Sequence, residues 1–137
     1  MESEIRRYTL PMVKVEEIMA KNVIAVEKSK TIEELVKNFR KYEFHSFPVT
    51  EEGKLVGIVT KTDLLKIISS EKMSAVFASC VEDIMTPNPI TISPEAYLVD
   101  AINIMKKNRI RILPVVENEK MVGILSYSDL VRVVFKE

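Results

Sequence analysis

Little in this chain names an activity outright. It has one cysteine, one histidine, three glycines and no tryptophan among 137 residues. The single cysteine, Cys80, excludes an intramolecular disulfide and any multi-cysteine metal site, and burial as a small apolar residue is its expected fate. So few glycines leave no room for a glycine-rich dinucleotide fingerprint, and no G-x-x-x-x-G-K-S/T, H-E-x-x-H or G-x-S-x-G occurs. A conventional NTPase, dehydrogenase or hydrolase is excluded on those grounds. His45, the lone histidine, has no carboxylate or cysteine at a recognisable motif spacing, so no acid–base pair can be drawn. No apolar run approaches the roughly 18 residues of a membrane span, and the opening MESEIRRYTLPMVK lacks a signal-peptide core. A cytoplasmic protein that does not enter a membrane is expected. Charge of one sign is not in excess either: 20 lysines and arginines face 20 aspartates and glutamates. Without a net field, nucleic acid is an unfavoured partner and would need a local patch.

What the chain does have is an internal duplication. Aligned with itself at an offset of about 66, Val15–Ile68 matches Val81–Val134 without a gap, with about 16 identities over about 54 positions. The landmarks fall in one order: Val15-Glu16-Glu17-Ile18-Met19 against Val81-Glu82-Asp83-Ile84-Met85, Pro48-Val49 against Pro114-Val115, Val56-Gly57-Ile58 against Val122-Gly123-Ile124, and Asp63-Leu64 against Asp129-Leu130. The chain is thus divided into an N-terminal arm (1–14), a first repeat (15–68), a connector (69–80) and a second repeat (81–134). At 47% apolar and 29% charged residues it has the composition of a globular domain.

Each copy reads as β-α-β-β-α. A strand is expected over Val23–Val26 and Ile90–Ile92, the second bounded by Thr86-Pro87-Asn88-Pro89. An amphipathic helix follows over Thr31–Tyr42, with a capping box from Thr31 to Glu34. In the second copy Ser93 is the expected cap and Pro94 the first helical residue. Phe47–Thr50 and Leu55–Thr60 read as a hairpin turning at Glu51-Glu52-Gly53-Lys54, repeated by Leu113–Val116 and Met121–Ser126. A last helix is expected to open with Thr62 or Ser128 as N-cap. The connector, with Met73, Val76 and Phe77 and neither proline nor glycine, reads as a helical extension. One unit is too small to cover its own sheet, so the fold expected is α/β (α+β): two units packed through their sheets with pseudo-two-fold symmetry and two symmetry-related clefts.

The segments with most chemistry are Gly57-Ile58-Val59-Thr60-Lys61-Thr62-Asp63 and Gly123-Ile124-Leu125-Ser126-Tyr127-Ser128-Asp129. Both place a glycine, two hydroxyls and a carboxylate at a strand-to-helix junction, where a helix N-terminus offers N–H groups to an anion. Aspartate can accept from both hydroxyls of a ribose, and Thr60 or Ser126 can donate to a phosphate oxygen. In a single copy this pattern is more often a helix cap than a site. Its recurrence in both copies favours the functional reading.

The ordered set of Ile18-Met19, Pro48-Val49, Gly57 to Asp63 and their second-copy partners resembles a CBS domain pair, or Bateman module, over nearly the whole chain. The resemblance implies a regulatory module, not an enzyme, whose clefts take AMP, ADP, ATP or S-adenosylmethionine and which requires no cofactor. It carries ribose contacts to Asp63 and Asp129, and ribose or phosphate contacts to Thr60 and Ser126, with Thr62 and Ser128 beside them. It further assigns adenine enclosure to Val23, Ile24, Pro89 and Ile90, and phosphate contacts to His45 and Arg111, with Arg109 as a further candidate. The copies differ where Ala20-Lys21 stands against Thr86-Pro87, so only the second offers a hydroxyl there. Thr86, Arg109, Arg111, Ser126 and Asp129 together favour the second copy for a phosphorylated ligand.

Three readings compete with the sensor: a ligand-free dimerisation scaffold, then an enzyme, and last a nucleic-acid binder. The stripe Leu98, Val99, Ala101, Ile102, Ile104 and Met105 is wider than one buried helix face needs, which points to a homodimer. The arm, with Arg6-Arg7-Tyr8, is expected to pack on the domain or on its dimer mate.

Overall fold

Each apolar run folds with the period it carries. The computed structural model describes residues 12–68 and 73–135. In chain order its elements are α1 (Val15–Ile18), β1 (Val26–Glu27), α2 (Ile32–Lys41), β2 (Ser46–Glu51), β3 (Lys54–Thr60), α3 (Lys61–Ile68), α4 (Met73–Ala78), a 3-10 turn (Val81–Asp83), β4 (Thr86–Pro87), α5 (Leu98–Asn108), β5 (Ile112–Glu117), β6 (Lys120–Ser126) and α6 (Tyr127–Val134). The mixed α/β class is as expected. The arm up to residue 11 and connector residues 69–72 lie outside the described residues.

The chain forms two compact units, one continuous (Ile24–Pro89) and one split (Met1–Val23 with Ile90–Glu137). They are offset from the sequence repeat. Val81, which opens the second repeat, is buried in the core of the continuous unit with Val26, Ile32, Leu35, Phe39, Phe47, Val49, Val59 and Leu64. Val15, which opens the first repeat, is buried in the split unit with Ile92, Leu98, Ala101, Met105, Leu113, Val115, Leu125 and Leu130. Each leading segment therefore completes the core of the other repeat.

Matched backbone bonds hold these segments. Val81 N–H donates to Lys30 O at 2.8 Å and Val15 N–H to Ala96 O at 2.8 Å; Glu82 N–H donates to Lys28 O at 3.1 Å and Glu16 N–H to Pro94 O at 3.0 Å. In the continuous unit β1 runs parallel to β2, β2 antiparallel to β3, and β3 antiparallel to β4. The split unit repeats this with β5 antiparallel to β6, while single bridges, Ile92 to Val115 and Ala20 to Ile124, replace β1 and β4. Both hairpins turn through two left-handed residues, Glu52-Gly53 and Asn118-Glu119, the geometry a two-residue loop needs to match strand twist.

Several expectations shift. The strand expected at Val23–Val26 begins only at Val26, and Ile90–Ile92 contributes one bridge. Ser93 does not cap the long helix: its hydroxyl accepts from Glu95 N–H at 3.2 Å in a local turn, and α5 starts at Leu98. The carbonyls of Pro94 and Ala96 accept from Glu16 and Val15 N–H, and Leu98 N–H is bonded to Val13 O rather than to Pro94 O, so no helical turn forms before Leu98. Tyr97 stands at the cap, its N–H bonded to Asp100 Oδ2 at 2.9 Å. Thr31 caps α2 as expected, receiving Glu34 N–H at 3.2 Å. Cys80 is half-buried rather than buried, because it stands at the cap of the 3-10 turn with its N–H on Asp83 Oδ2 at 2.9 Å.

Candidate functional site

The two junctions after β3 and β6 are built alike. Thr60 N–H donates to Asp63 Oδ2 at 2.8 Å, and Asp63 N–H donates back to Thr60 Oγ1 at 3.1 Å. Ser126 N–H donates to Asp129 Oδ2 at 3.2 Å, and Asp129 N–H donates to Ser126 Oγ at 3.2 Å. The N-caps of the last helices are thus Thr60 and Ser126, and Thr62 and Ser128, expected in that role, lie exposed in the first turn. The reason is spacing: only a hydroxyl three residues before the aspartate closes the reciprocal box. At the second junction Ser126 Oγ also donates to Asp129 Oδ2 at 2.8 Å, and Arg132 pairs with Asp129 Oδ1.

A glycine underlies each junction. A Cβ on Gly57 would strike Met85 Sδ and lie 2.9 Å from Thr86 O; on Gly123 it would strike Met19 Sδ and lie 3.0 Å from Ala20 O. The methionine ending each leading segment therefore lies across the glycine of the other repeat's strand. The copies align Met19 with Met85 and Gly57 with Gly123, but which touches which was not readable from that alignment.

Phosphate-type candidates divide between the units. In the continuous unit Ser46 stands opposite Thr60, His45 O accepts Lys61 N–H at 3.0 Å, and Thr86 stands opposite Ile58. His45, Thr60, Thr62, Asp63 and Thr86 thus belong to one end of that unit, with Ile24 and Pro89 on its bounding segments. In the split unit Arg111 O accepts Tyr127 N–H at 2.8 Å, which brings Arg111 to Ser126, Ser128 and Asp129. Arg109 closes α5 in a left-handed conformation, φ 54°, and is exposed, with Val23 and Ile90 on that unit's bounding segments. Of the second-copy set, the backbone of Thr86 pairs with β3, in the unit of Thr60 and Asp63. Among the described residues no cluster of three metal-ligating side chains occurs, and no helix is long and apolar enough to cross a membrane.

The CBS domain model matches twice, at residues 15–70 and 81–136. The chain belongs to the CBS domain family, as a tandem pair. It is 37% identical over 123 residues to the uncharacterized protein MJ0188 of Methanocaldococcus jannaschii, covering 88% of this chain and 43% of that protein. It is 32% identical over 121 residues to an uncharacterized 17.7 kDa protein of Acidianus ambivalens, covering 87% of this chain and 71% of that one. The chain spans only part of the first curated relatives, 43% and 41% of two M. jannaschii proteins and 23% of the M. jannaschii inosine-5'-monophosphate dehydrogenase. In structure it is similar to CBSX2 in complex with AMP, with a TM-score of 0.80 and 26% identity over 90% of this chain and 96% of that one. It is similar also to the CBS domain pair of MJ0100 in complex with 5'-methylthioadenosine and S-adenosyl-L-methionine, with a TM-score of 0.78 and 31% identity over 90% and 96% of the two chains.

Proposed function

We propose that this chain is a cytoplasmic regulatory module that binds an adenosine-containing ligand at the strand-to-helix junctions of its CBS repeats and reports occupancy to a partner protein, acting as a homodimer. The observation carrying the reading is the hydroxyl–aspartate pair, Thr60 with Asp63 and Ser126 with Asp129, closing the same reciprocal box at two strand-to-helix junctions. Solved relatives at 26% and 31% identity that hold AMP, or methylthioadenosine and S-adenosylmethionine, support the ligand class. In this reading the carboxylates of Asp63 and Asp129 accept from ribose hydroxyls, and Thr60 and Ser126 stand beside phosphate. His45 and Thr86 supply one phosphate-side set and Arg109 and Arg111 the other, while Val23, Ile24, Pro89 and Ile90 enclose the base. AMP, ADP, ATP and S-adenosylmethionine all fit that chemistry. Binding would act by favouring one arrangement of repeats or subunits, since only differential affinity shifts such an equilibrium.

One observation favours the alternative of a ligand-free scaffold: both hydroxyl–aspartate pairs are satisfied within their own capping boxes. The test is calorimetric titration of nucleotide-stripped protein with each of the four ligands and a guanosine control, repeated on Asp63→Ala and Asp129→Ala. Saturable adenosine-selective heat, lost in one or both variants, is expected. Absence of heat with every adenosine ligand, with the variants losing only the ~1 kcal/mol of a helix cap, gives the scaffold.

A further inference from the structure

We propose that Arg132 is a competing counter-ion: it covers the outer oxygen of Asp129 and holds the affinity of the second junction below what the carboxylate alone gives. The inference rests on the reading above, since it takes Asp129 as the acceptor of ribose hydroxyls. Asp129 is the third residue of α6, and the i,i+3 spacing returns Arg132 to the same face one turn later. There its guanidinium pairs with Asp129 Oδ1. The other oxygen is committed to the capping box. Oδ2 accepts Ser126 N–H at 3.2 Å and the Ser126 hydroxyl at 2.8 Å.

A carboxylate oxygen has about two lone-pair sites. Ser126 fills both on Oδ2, so a vicinal diol that donates to Asp129 has to reach Oδ1, where it meets the guanidinium. If the diol also takes Oδ2, the Ser126 hydroxyl has to turn away, which frees that proton for a phosphate oxygen. The two members of the ion pair differ in burial: the Asp129 side chain is 21% exposed and that of Arg132 75%. Arg132 therefore exchanges its carboxylate for water at small cost, as exposed ion pairs do. The arrangement sets a threshold and not a block. A ligand enters when its hydroxyls displace a guanidinium that water is ready to receive.

The test is calorimetric titration of the full chain with adenosine, which carries the diol and has no phosphate that a released guanidinium could meet. Arg132→Ala is expected to tighten adenosine about two- to fivefold, the scale of one exposed ion pair. In an Asp129→Ala background the same substitution should change nothing, because the group that Arg132 covers is gone. Unchanged or weaker adenosine affinity in Arg132→Ala overturns the proposal, and so does an equal gain in the absence of Asp129. Absence of adenosine heat in both the parent and Arg132→Ala overturns it as well. Titration of the same two proteins with AMP then separates the two failures: heat with AMP leaves the sensor reading standing, and no heat with either compound removes both.

Discussion

The two units fill the same nine core positions, six of them with different side chains. The continuous unit sets Leu35, Phe39 and Phe47 where the split unit has Ala101, Met105 and Leu113. Its aromatics form a cluster: the Phe39 and Phe47 rings lie 4.7 Å apart, and Phe44 meets Phe47 at 5.7 Å and Tyr42 at 5.5 Å. Its surface is also tied where the split unit's is not. Lys28 pairs with Glu51 and with Glu82, holding its ammonium pKa above the usual range chiefly through the Glu51 hydrogen bond. The corresponding position in the split unit is Pro94. The backbone register is thus duplicated while the filling has diverged, and the larger apolar load sits in the continuous unit.

The largest effect that sharpens this comparison is truncation of matched core residues. Phe47→Ala should cost about 3–5 kcal/mol, and Leu113→Ala less within the 2–5 kcal/mol range of such truncations. Denaturant unfolding measures both, and a larger cost at Leu113 would break the ranking. Val15→Ala and Val81→Ala come next, at about 2 kcal/mol each. Hydrogen exchange should place the loosening after Val15→Ala in α5, β5 and β6, not in the repeat that contains Val15, and the reverse after Val81→Ala. Loosening confined to the substituted residue's own repeat would contradict the exchanged cores. Gly57→Ala and Gly123→Ala should each cost about 1–3 kcal/mol by overpacking against a methionine and a backbone carbonyl. The smallest effect is at Glu34, whose carboxyl lies below its usual 4.5, first through Lys30 and then through the Thr31 N–H. Its contribution is present above pH 4.5 and is lost as pH falls through the lowered native value. The stability gap between the parent and Glu34→Gln should therefore be seen at neutral pH and close in acid.

Sequence reasoning reached some of this and missed the rest for physical reasons. The Thr31 cap, both hairpins and the Thr60–Asp63 spacing rest on local chemistry, and local chemistry is visible in a string of residues. Tyr97 as the cap of α5 was missed because Ser93-Pro94 is the better local signal; the segment leading into α1 overrides it, Leu98 N–H bonding to Val13 O rather than to Pro94 O. The exchange of leading segments could not be read at all. Val15 equals Val81, Met19 equals Met85 and Gly57 equals Gly123, so either pairing satisfies the pattern equally. The pairing of Thr86 with β3 follows the same exchange.

That exchange bears on how such a chain can arise. A lone ancestral repeat of this kind would carry a segment that completes a neighbour's core and would lack the one that completes its own. Two copies could satisfy each other only as a pair, so mutual dependence precedes gene fusion and the connector merely makes it permanent. A chain severed between Cys80 and Val81 would then be expected to work as two fragments mixed together and to fail as either fragment alone.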